Sequence, residues 1–395
     1  MVRTPRQFKE IQDIEVRTEH RVTKIDPEEK KVEVVNLSKS EAQWFPYDKL
    51  IIATGARSRR LNLPGSNAKN IFTLKDLQDG IRIKNYIDER KPGRVAVLGG
   101  GFIGLEMCEA FRLRNIETHI FCRRDLPGGN LEREISEKIL KELEENGVHF
   151  FGQHEPIGFK TNSEGEVTTF ETHQAGYQVD MVLMALGVIP NVEMAKEAGI
   201  ELGRTGAIRT DSTQMTNLAD TYVAGDCCEV FNLVSQDWVH TPLGDIANKQ
   251  GRVAGENAAG GKATFSGVVG SAAFKVFELE VAFTGLGTRV ARQYGFDVDS
   301  QIIEAESKVG YMPGSKRMLI KLIFDRRSGR LLGGQMAGKE GVARRINALA
   351  VAVHQQMSVD DIARLDFAYA PPFSAPFDPI LIAAEQAGRK IQHSS

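Results

Sequence analysis

The stretch Gly93–Arg124, GRVAVLGGGFIGLEMCEAFRLRNIETHIFCRR, decides how the rest of the chain reads. Arg94 to Leu98 is a short apolar run rich in valine, the composition of a buried strand. Gly99, Gly101 and Gly104 follow with G-x-G-x-x-G spacing at a strand-to-helix turn. The first glycine permits the tight turn, the second lets a diphosphate approach the backbone, and the third lets the helix close on the strand. Phe102 to Arg114 is then expected as a helix, its free N–H groups and positive dipole end facing the phosphates. Glu117 to Cys122 reads as the second strand. A glycine pattern alone is weak evidence and a plain packing turn is its ordinary explanation. With this strand and this helix around it, the unit points to a dinucleotide.

The end of the second strand bears on which nicotinamide is held. An acidic residue about 20 positions on would bind the ribose 2′-hydroxyl and select NADH. Cys122 stands there, followed by Arg123 and Arg124. Guanidinium forks match phosphate oxygens, so the pair favours the 2′-phosphate of NADPH. Asp125, slightly further along, is the alternative acid and keeps NADH open. Two solvated arginines are the plain alternative.

The chain has 395 residues, room for two or three domains and a large core. A formal charge of −2 with 26% charged residues gives no reason to expect a nucleic-acid partner. The opening MVRTPRQFKEIQ lacks an apolar signal core and no run is long enough for a bilayer, so a cytoplasmic protein without a membrane partner is expected. Cys108, Cys122, Cys227 and Cys228 form neither C-x-x-C nor any Cys/His grouping with zinc spacing. All four are expected as buried thiols, and no metal is expected.

Outward from the glycine unit, Leu74 to Glu89 has helical periodicity and stops at Pro92-Gly93. Glu132 to Asn146 is amphipathic, with Ile135, Ile139, Leu140 and Leu143 on one face. A hairpin is expected around Asn162 to Gly165. Val179 to Leu186 is a buried strand ending at Gly187. Before this module, Ile14 to Arg17 and Arg21 to Ile25 look like strand pieces, and Lys31 to Asn36 should pair with the stretch near Trp44. Tyr47 to Thr54 is a strand that runs into Gly55 and Ala56. No βαβ unit, which takes roughly 30 residues, fits ahead of residue 20. After it, Thr221 to Ala224 is a strand ending in Gly225-Asp226, where a carboxylate is placed for a sugar hydroxyl or as a helix cap. Pro242 to Ala259 reads as a helix with a small-residue face. From about residue 263 the pattern is α+β, with strands at 274–277, 280–284 and 318–325 and a helix at 341–357. The proline-rich loop Tyr369–Pro379 can be neither helix nor central strand.

IIATGA (51–56), GGGFIGLE (99–106), ALGVIPN (185–191), YVAGDC (222–227) and YAPPFS (369–374) together resemble the pyridine nucleotide-disulfide oxidoreductases. The last motif resembles the CoA-disulfide reductase and NADH oxidase branch. The resemblance implies an α/β fold with Rossmann-like domains. It sets an FAD domain at 1–73 and 193–262, an inserted NAD(P)H domain at 74–192, and an α+β dimerisation domain at 263–395. It implies a homodimer that passes hydride from NADPH or NADH to flavin and electrons on to a disulfide such as CoA disulfide, or to dioxygen. Carried over by motif, Thr54, Gly55, Ala56, Gly187, Gly225 and Asp226 would line FAD or its neighbourhood. Phe102 would stack by the nicotinamide with Glu106 beside it. Lys249 would face a CoA pocket. Tyr369, from the partner subunit, and Tyr311 would sit by the substrate sulfur. Relatives also open with a first glycine-rich FAD unit and a Ser-Phe-x-x-Cys-type redox cysteine. Residues 1–73 are expected to hold only the later part of the FAD domain. None of the four cysteines lies in such a motif. Met312 replaces a second tyrosine common in the branch, and Phe377 stands where a CoA-reducing relative can carry lysine. The acceptor is left open.

Overall fold

The computed structural model describes residues 4–392, which gather into two compact units. One unit holds the chain up to Ala56 together with 190–231 and 238–267. The other holds 57–189, 232–237 and the chain from Val268 onward.

The larger unit is built on a parallel sheet. Its strand order is Ile71–Thr73, Met181–Met184, Arg94–Leu98, Glu117–Phe121, Val148–Phe151. Every pairing is parallel. Parallel strands covered on both faces read as unbroken apolar runs, and Val95, Ala96 and Val97 are fully buried. Helices Leu77–Arg90, Phe102–Arg112 and Arg133–Glu145 surround it. The last one buries Ile135, Ile139 and Leu143. A three-stranded antiparallel sheet, Pro156–Thr161, Val167–Thr172 and Gly176–Gln178, adds Phe159 and Phe170 to a cluster with Ala96, Leu98 and Phe121. The edge strand Ile71–Thr73 and the segment before it back to Arg57 belong to this unit, so the nucleotide module begins earlier than residue 74.

A second five-stranded sheet is antiparallel, ordered Ala272–Val276, Leu279–Gly285, Leu331–Gly338, Arg317–Asp325, Val298–Glu306. Helices Val342–His354 and Pro379–Gln392 bury Ile346, Leu349, Ile380 and Ala383 in the cluster beside it. This half and the parallel-sheet half share one core, in which Leu105, Phe111, Ile135 and Ile139 meet Phe274, Val276 and Val281. Three carboxylates tie the halves together. Glu109 accepts from the Phe277 N–H and the Lys275 ammonium, both at 3.1 Å. Glu142 accepts from the Glu278 N–H at 3.1 Å and pairs with Lys339 at 3.0 Å. Glu132 takes the Thr288 N–H at 2.8 Å and pairs with Lys321 at 2.8 Å. The Lys321 ammonium, on a side chain only 9% exposed, also lies 2.8 Å from Glu134.

In the smaller unit, His20–Asp26, Lys31–Asn36 and Glu41–Pro46 form an antiparallel sheet in which Glu33 faces Trp44. Leu50–Ile52 pairs in parallel with Thr221–Val223, and helix Gly244–Ala258 follows. Ile14 to Arg17 is not a strand. The preceding residues form the helix Pro5–Gln12, started by a Thr4–Gln7 capping box and closed when the Ile14 N–H bonds the Phe8 carbonyl. Among the described residues no helix is long and apolar enough to cross a membrane.

Replacing Lys321 by Met leaves Glu132 and Glu134 without their cation. Breaking one side of a buried pair costs about 3–5 kcal/mol, and the 39% exposure of the Glu134 side chain sets the lower end as the expectation. Burial pulls the Lys321 pKa down, but the two carboxylates outweigh it and hold it above the ordinary 10.5. Burial likewise opposes Lys321 at Glu134, whose pKa ends below 4.5. A raised lysine stabilises up to its unfolded pKa and loses that contribution as pH climbs through the folded one. A lowered carboxylate does the reverse in acid. Urea midpoints of wild type and Lys321→Met should therefore differ most between pH 4.5 and 10.5 and converge beyond either end.

Candidate functional site

A cleft of about 1080 Å³ opens at the carboxyl ends of the parallel strands. Residues 59–63, 98–101, 121–124, 154–156 and 185–187 line it, with Leu126, Gly129 and Asn130. The glycine turn forms its floor. Gly99 has φ +111°, and a Cβ there would lie 2.4 Å from the Ala185 carbonyl oxygen. A Cβ on Gly104 would lie 2.0 Å from the Gly99 carbonyl oxygen. A Cβ on Gly100 would meet the Cys122 sulfur at 2.6 Å, which explains the small apolar residue at the place of the expected acid. Gly101 differs from the other three, with nothing within 4 Å of its Cβ position. It caps helix Phe102–Arg112 without any side-chain hydrogen bond, leaving the first-turn N–H groups open. Turn, open backbone and helix start are the parts a diphosphate needs.

Arg123 is exposed and, among the described residues, makes no hydrogen bond or ion pair. Arg124 donates to the Gly129 carbonyl and, at 3.1 Å, to the Asn130 side chain. Asp125 pairs with Arg133 at 3.4 Å and does not line the cleft. Arg59 and Arg60 also line the cleft. They belong to the R-S-R-R run at 57–60, just after ATGA and outside the glycine motif. Gly187, with φ +85° and open space around it, closes the far end. Three expected residues do not line this cleft: Gly104, buried where the helix closes on the strand, Phe102 and Glu106. Phe102 turns its ring into the core, 4.6 Å from Phe274 and 5.9 Å from Phe283, because its position one residue past the cap faces the antiparallel sheet. Glu106 lies a turn further along the helix. Partial burial, and then the Glu109 charge, raise its pKa.

In the smaller unit, Thr54, Gly55 and Ala56 follow one strand of the parallel pair, and Gly225 and Asp226 follow the other. The expected flavin residues thus gather at neighbouring carboxyl ends, where ligands of parallel sheets bind. Thr54 donates to the Asn191 carbonyl at 2.7 Å, and the Asn191 amide donates back to the Thr54 carbonyl at 2.9 Å. The Gln250 side chain accepts the Gly225 N–H at 3.0 Å, and His240 Nε2 lies 2.8 Å from the Asp226 carbonyl. Asn191 ends the motif ALGVIPN, whereas Gln250 and His240 are supports that the motifs did not reveal. Lys249 pairs with Asp245 at 3.6 Å on the exposed face of its helix, and none of the other expected residues meets it there.

Tyr311 is 76% and Tyr369 48% exposed, each on a loop of the antiparallel half. One guanidinium anchors both loops. Arg345 donates to the Ser307 carbonyl at 2.8 Å and the Phe373 carbonyl at 3.4 Å, and pairs with buried Asp378 at 2.9 Å. All four cysteines are free and buried. Burial pushes the Cys122 thiol up to about 12 and raises those of Cys108, Cys227 and Cys228 as well. One cluster the sequence reading did not foresee is Glu117, His119 and His149, whose ligand-capable atoms lie within 4.8 Å of one another. Strand alternation puts Glu117 and His119 on one face, and the register sets His149 opposite His119. Glu117 is already held by Arg94 and His119, each at 2.8 Å.

Residues 3–248 match the family described as pyridine nucleotide-disulphide oxidoreductase, and residues 271–378 match its dimerisation domain. The chain is 33% identical over 395 residues to an NADH oxidase of Methanocaldococcus jannaschii, covering all of this chain and 87% of that one. It is 33% identical over 341 residues to an NAD(P)H coenzyme A polysulfide/persulfide reductase of Pyrococcus horikoshii, covering 86% and 76%. Among solved structures, an NAD-dependent persulfide reductase from A. fulgidus superposes with TM-score 0.95 at 35% identity, over 99% of this chain and 72% of that one. An FAD-dependent pyridine nucleotide-disulphide oxidoreductase from Desulfovibrio vulgaris superposes with TM-score 0.83 at 30% identity, over 96% and 92%.

The glycine turn allows folding and binding to be separated. Gly104→Ala forces the helix off the strand and should cost about 1–3 kcal/mol, read as a lower urea midpoint. Gly101→Ala meets no atom and should stay within about 1 kcal/mol of wild type. It should nonetheless weaken nicotinamide nucleotide binding at least tenfold by calorimetry, because its methyl group projects where a diphosphate would lie.

Proposed function

The chain belongs to the pyridine nucleotide-disulphide oxidoreductase family, and from that premise we propose that it is an FAD-dependent NADPH:disulfide oxidoreductase acting on CoA disulfide or a related sulfur substrate. The observation that carries this reading is the cleft: an open glycine-turn backbone beside an unpaired Arg123, with Asp125 turned away to Arg133. The first-turn N–H groups after Gly101 would hold the diphosphate. Arg123 would hold the 2′-phosphate, with Arg124 stiffening the loop through Gly129 and Asn130. Residues 54–56, Gly225 and Asp226 fit the edge of a flavin, and the Thr54–Asn191 pair keeps that edge in shape. Bound flavin would accept the nicotinamide hydride and supply the electron pair that reduces the acceptor. Tyr369, with Tyr311, would donate a hydrogen bond to the leaving thiolate. The match to the family's dimerisation domain supports a homodimer, and Phe373 and Phe377, 78% and 69% exposed, suit a face that a second copy covers.

The names of the relatives support a sulfur acceptor through the Pyrococcus horikoshii protein and dioxygen through the Methanocaldococcus jannaschii one. NADPH oxidase is therefore the second reading, and an inactive NADPH-binding homodimer the third. The purified chain supplied with FAD should show a flavin absorbance band and oxidise NADPH faster with CoA disulfide, under anaerobic conditions, than with dioxygen alone. Turnover with dioxygen only would establish the oxidase. NADPH binding with neither a flavin band nor turnover would establish the binding homodimer.

A further inference from the structure

Four arginines line the cleft, Arg59, Arg60, Arg123 and Arg124, against one carboxylate, Glu155. Arg124 is committed to its loop. Arg59 and Arg60 are adjacent and exposed, and among the described residues their side chains have no hydrogen bond or ion pair. Like charges side by side repel, and among the described residues neither arginine pairs with a carboxylate, Glu155 included. They come from a segment outside the glycine fingerprint, so dinucleotide motif logic does not explain them.

The backbone fixes where that segment runs. The Arg59 N–H bonds the Gly187 carbonyl at 2.9 Å. Gly187 is two residues beyond Ala185, whose carbonyl presses on Gly99. Leu61 and Leu63 are half-buried against the cluster of Leu98 and Phe121, while Arg59, Arg60 and Asn62 are exposed. The arginine pair is thereby held near the glycine turn, whereas Arg123 follows the next strand over. We infer that Arg59 and Arg60 grip the diphosphate of the dinucleotide, completing a charge clamp that the glycine turn makes from backbone alone. Guanidinium forks suit phosphate oxygens. The division of labour is definite: Arg59 and Arg60 serve any nicotinamide dinucleotide, and Arg123 serves only the 2′-phosphorylated one. This inference rests on the cleft being a nicotinamide site, as proposed above.

Calorimetric titration of the full chain with NADPH and with NADH tests it. The double variant Arg59→Gln/Arg60→Gln should weaken both nucleotides by one common factor of about tenfold or more. It should also flatten the salt dependence of binding, while Arg123→Gln weakens NADPH alone. Both arginine side chains are exposed, so the melting temperature should stay at the wild-type value, which separates lost contact from lost fold. If the double variant binds both nucleotides as wild type does, or loses affinity only for NADPH, the inference is overturned while the nicotinamide site stands. If wild type binds neither nucleotide, the nicotinamide site falls and this inference with it.

Discussion

The cleft exists because three backbone segments come closer than any side chain would allow. The carbonyl of Ala185 approaches Gly99 on one side and the carbonyl of Gly99 approaches Gly104 on the other, at 2.4 and 2.0 Å from where a Cβ would stand. This compression seats the helix directly on the strand ends, so its open N–H groups point along the cleft floor. Cys122 belongs to the same constraint, because its sulfur fills the space under Gly100. The residue that would ordinarily be an acid for a ribose hydroxyl is thus replaced by one that serves the packing of the turn. The side chains that follow at that strand end are Arg123 and Arg124, both exposed.

The parallel-sheet half does not stand alone. Its helices Phe102–Arg112 and Arg133–Glu145 bury their apolar faces partly against the antiparallel sheet, and their carboxylates Glu109, Glu132 and Glu142 cross to it. The Phe102 ring, sandwiched toward Phe274 and Phe283, is the same connection seen at the cap of the glycine helix. Phe102, which the resemblance assigns to the nicotinamide, is half-buried and packs against the shared core. The rigidity of the cleft floor therefore depends on the antiparallel sheet.

Local patterns were legible in the sequence and long-range ones were not. The amphipathic run at 132–146 and the strand at 94–98 carry their own periodicity and appear within a residue or two of the expected bounds. The motif residues Thr54, Gly55, Gly225 and Asp226 do converge, because each ends a strand of one parallel pair. The strand Val298–Glu306 was missed because its residues are mostly half-buried and mix polar with apolar without clear alternation. The helix Pro379–Gln392 was missed because it begins immediately after a proline-rich loop that reads as irregular, although Ile380, Leu381, Ala383 and Ala384 bury one face. The role of Arg345, which ties Ser307, Phe373 and Asp378 across 71 residues of chain, has no local signature at all.

The state of the cysteines bears directly on how electrons leave the flavin. A thiol attacks a disulfide as thiolate, and a reactive cysteine sits in a partly exposed, electropositive environment that lowers its pKa. Cys108, Cys122, Cys227 and Cys228 are the opposite, being buried and with raised pKa in every case. Even Cys227 and Cys228, next to the expected flavin contact Asp226, hold their S–H groups against backbone carbonyls: Ala224 at 3.4 Å for Cys227, Gly225 at 3.3 Å for Cys228. These four residues act as small apolar side chains that fill two cores, Cys108 and Cys122 in one and Cys227 and Cys228 in the other. A second half-reaction that used one of them as nucleophile would first have to unpack that core. Tyr311 and Tyr369 are 76% and 48% exposed, on loops anchored by the half-buried Arg345 guanidinium, and their hydroxyls reach solvent without any such rearrangement.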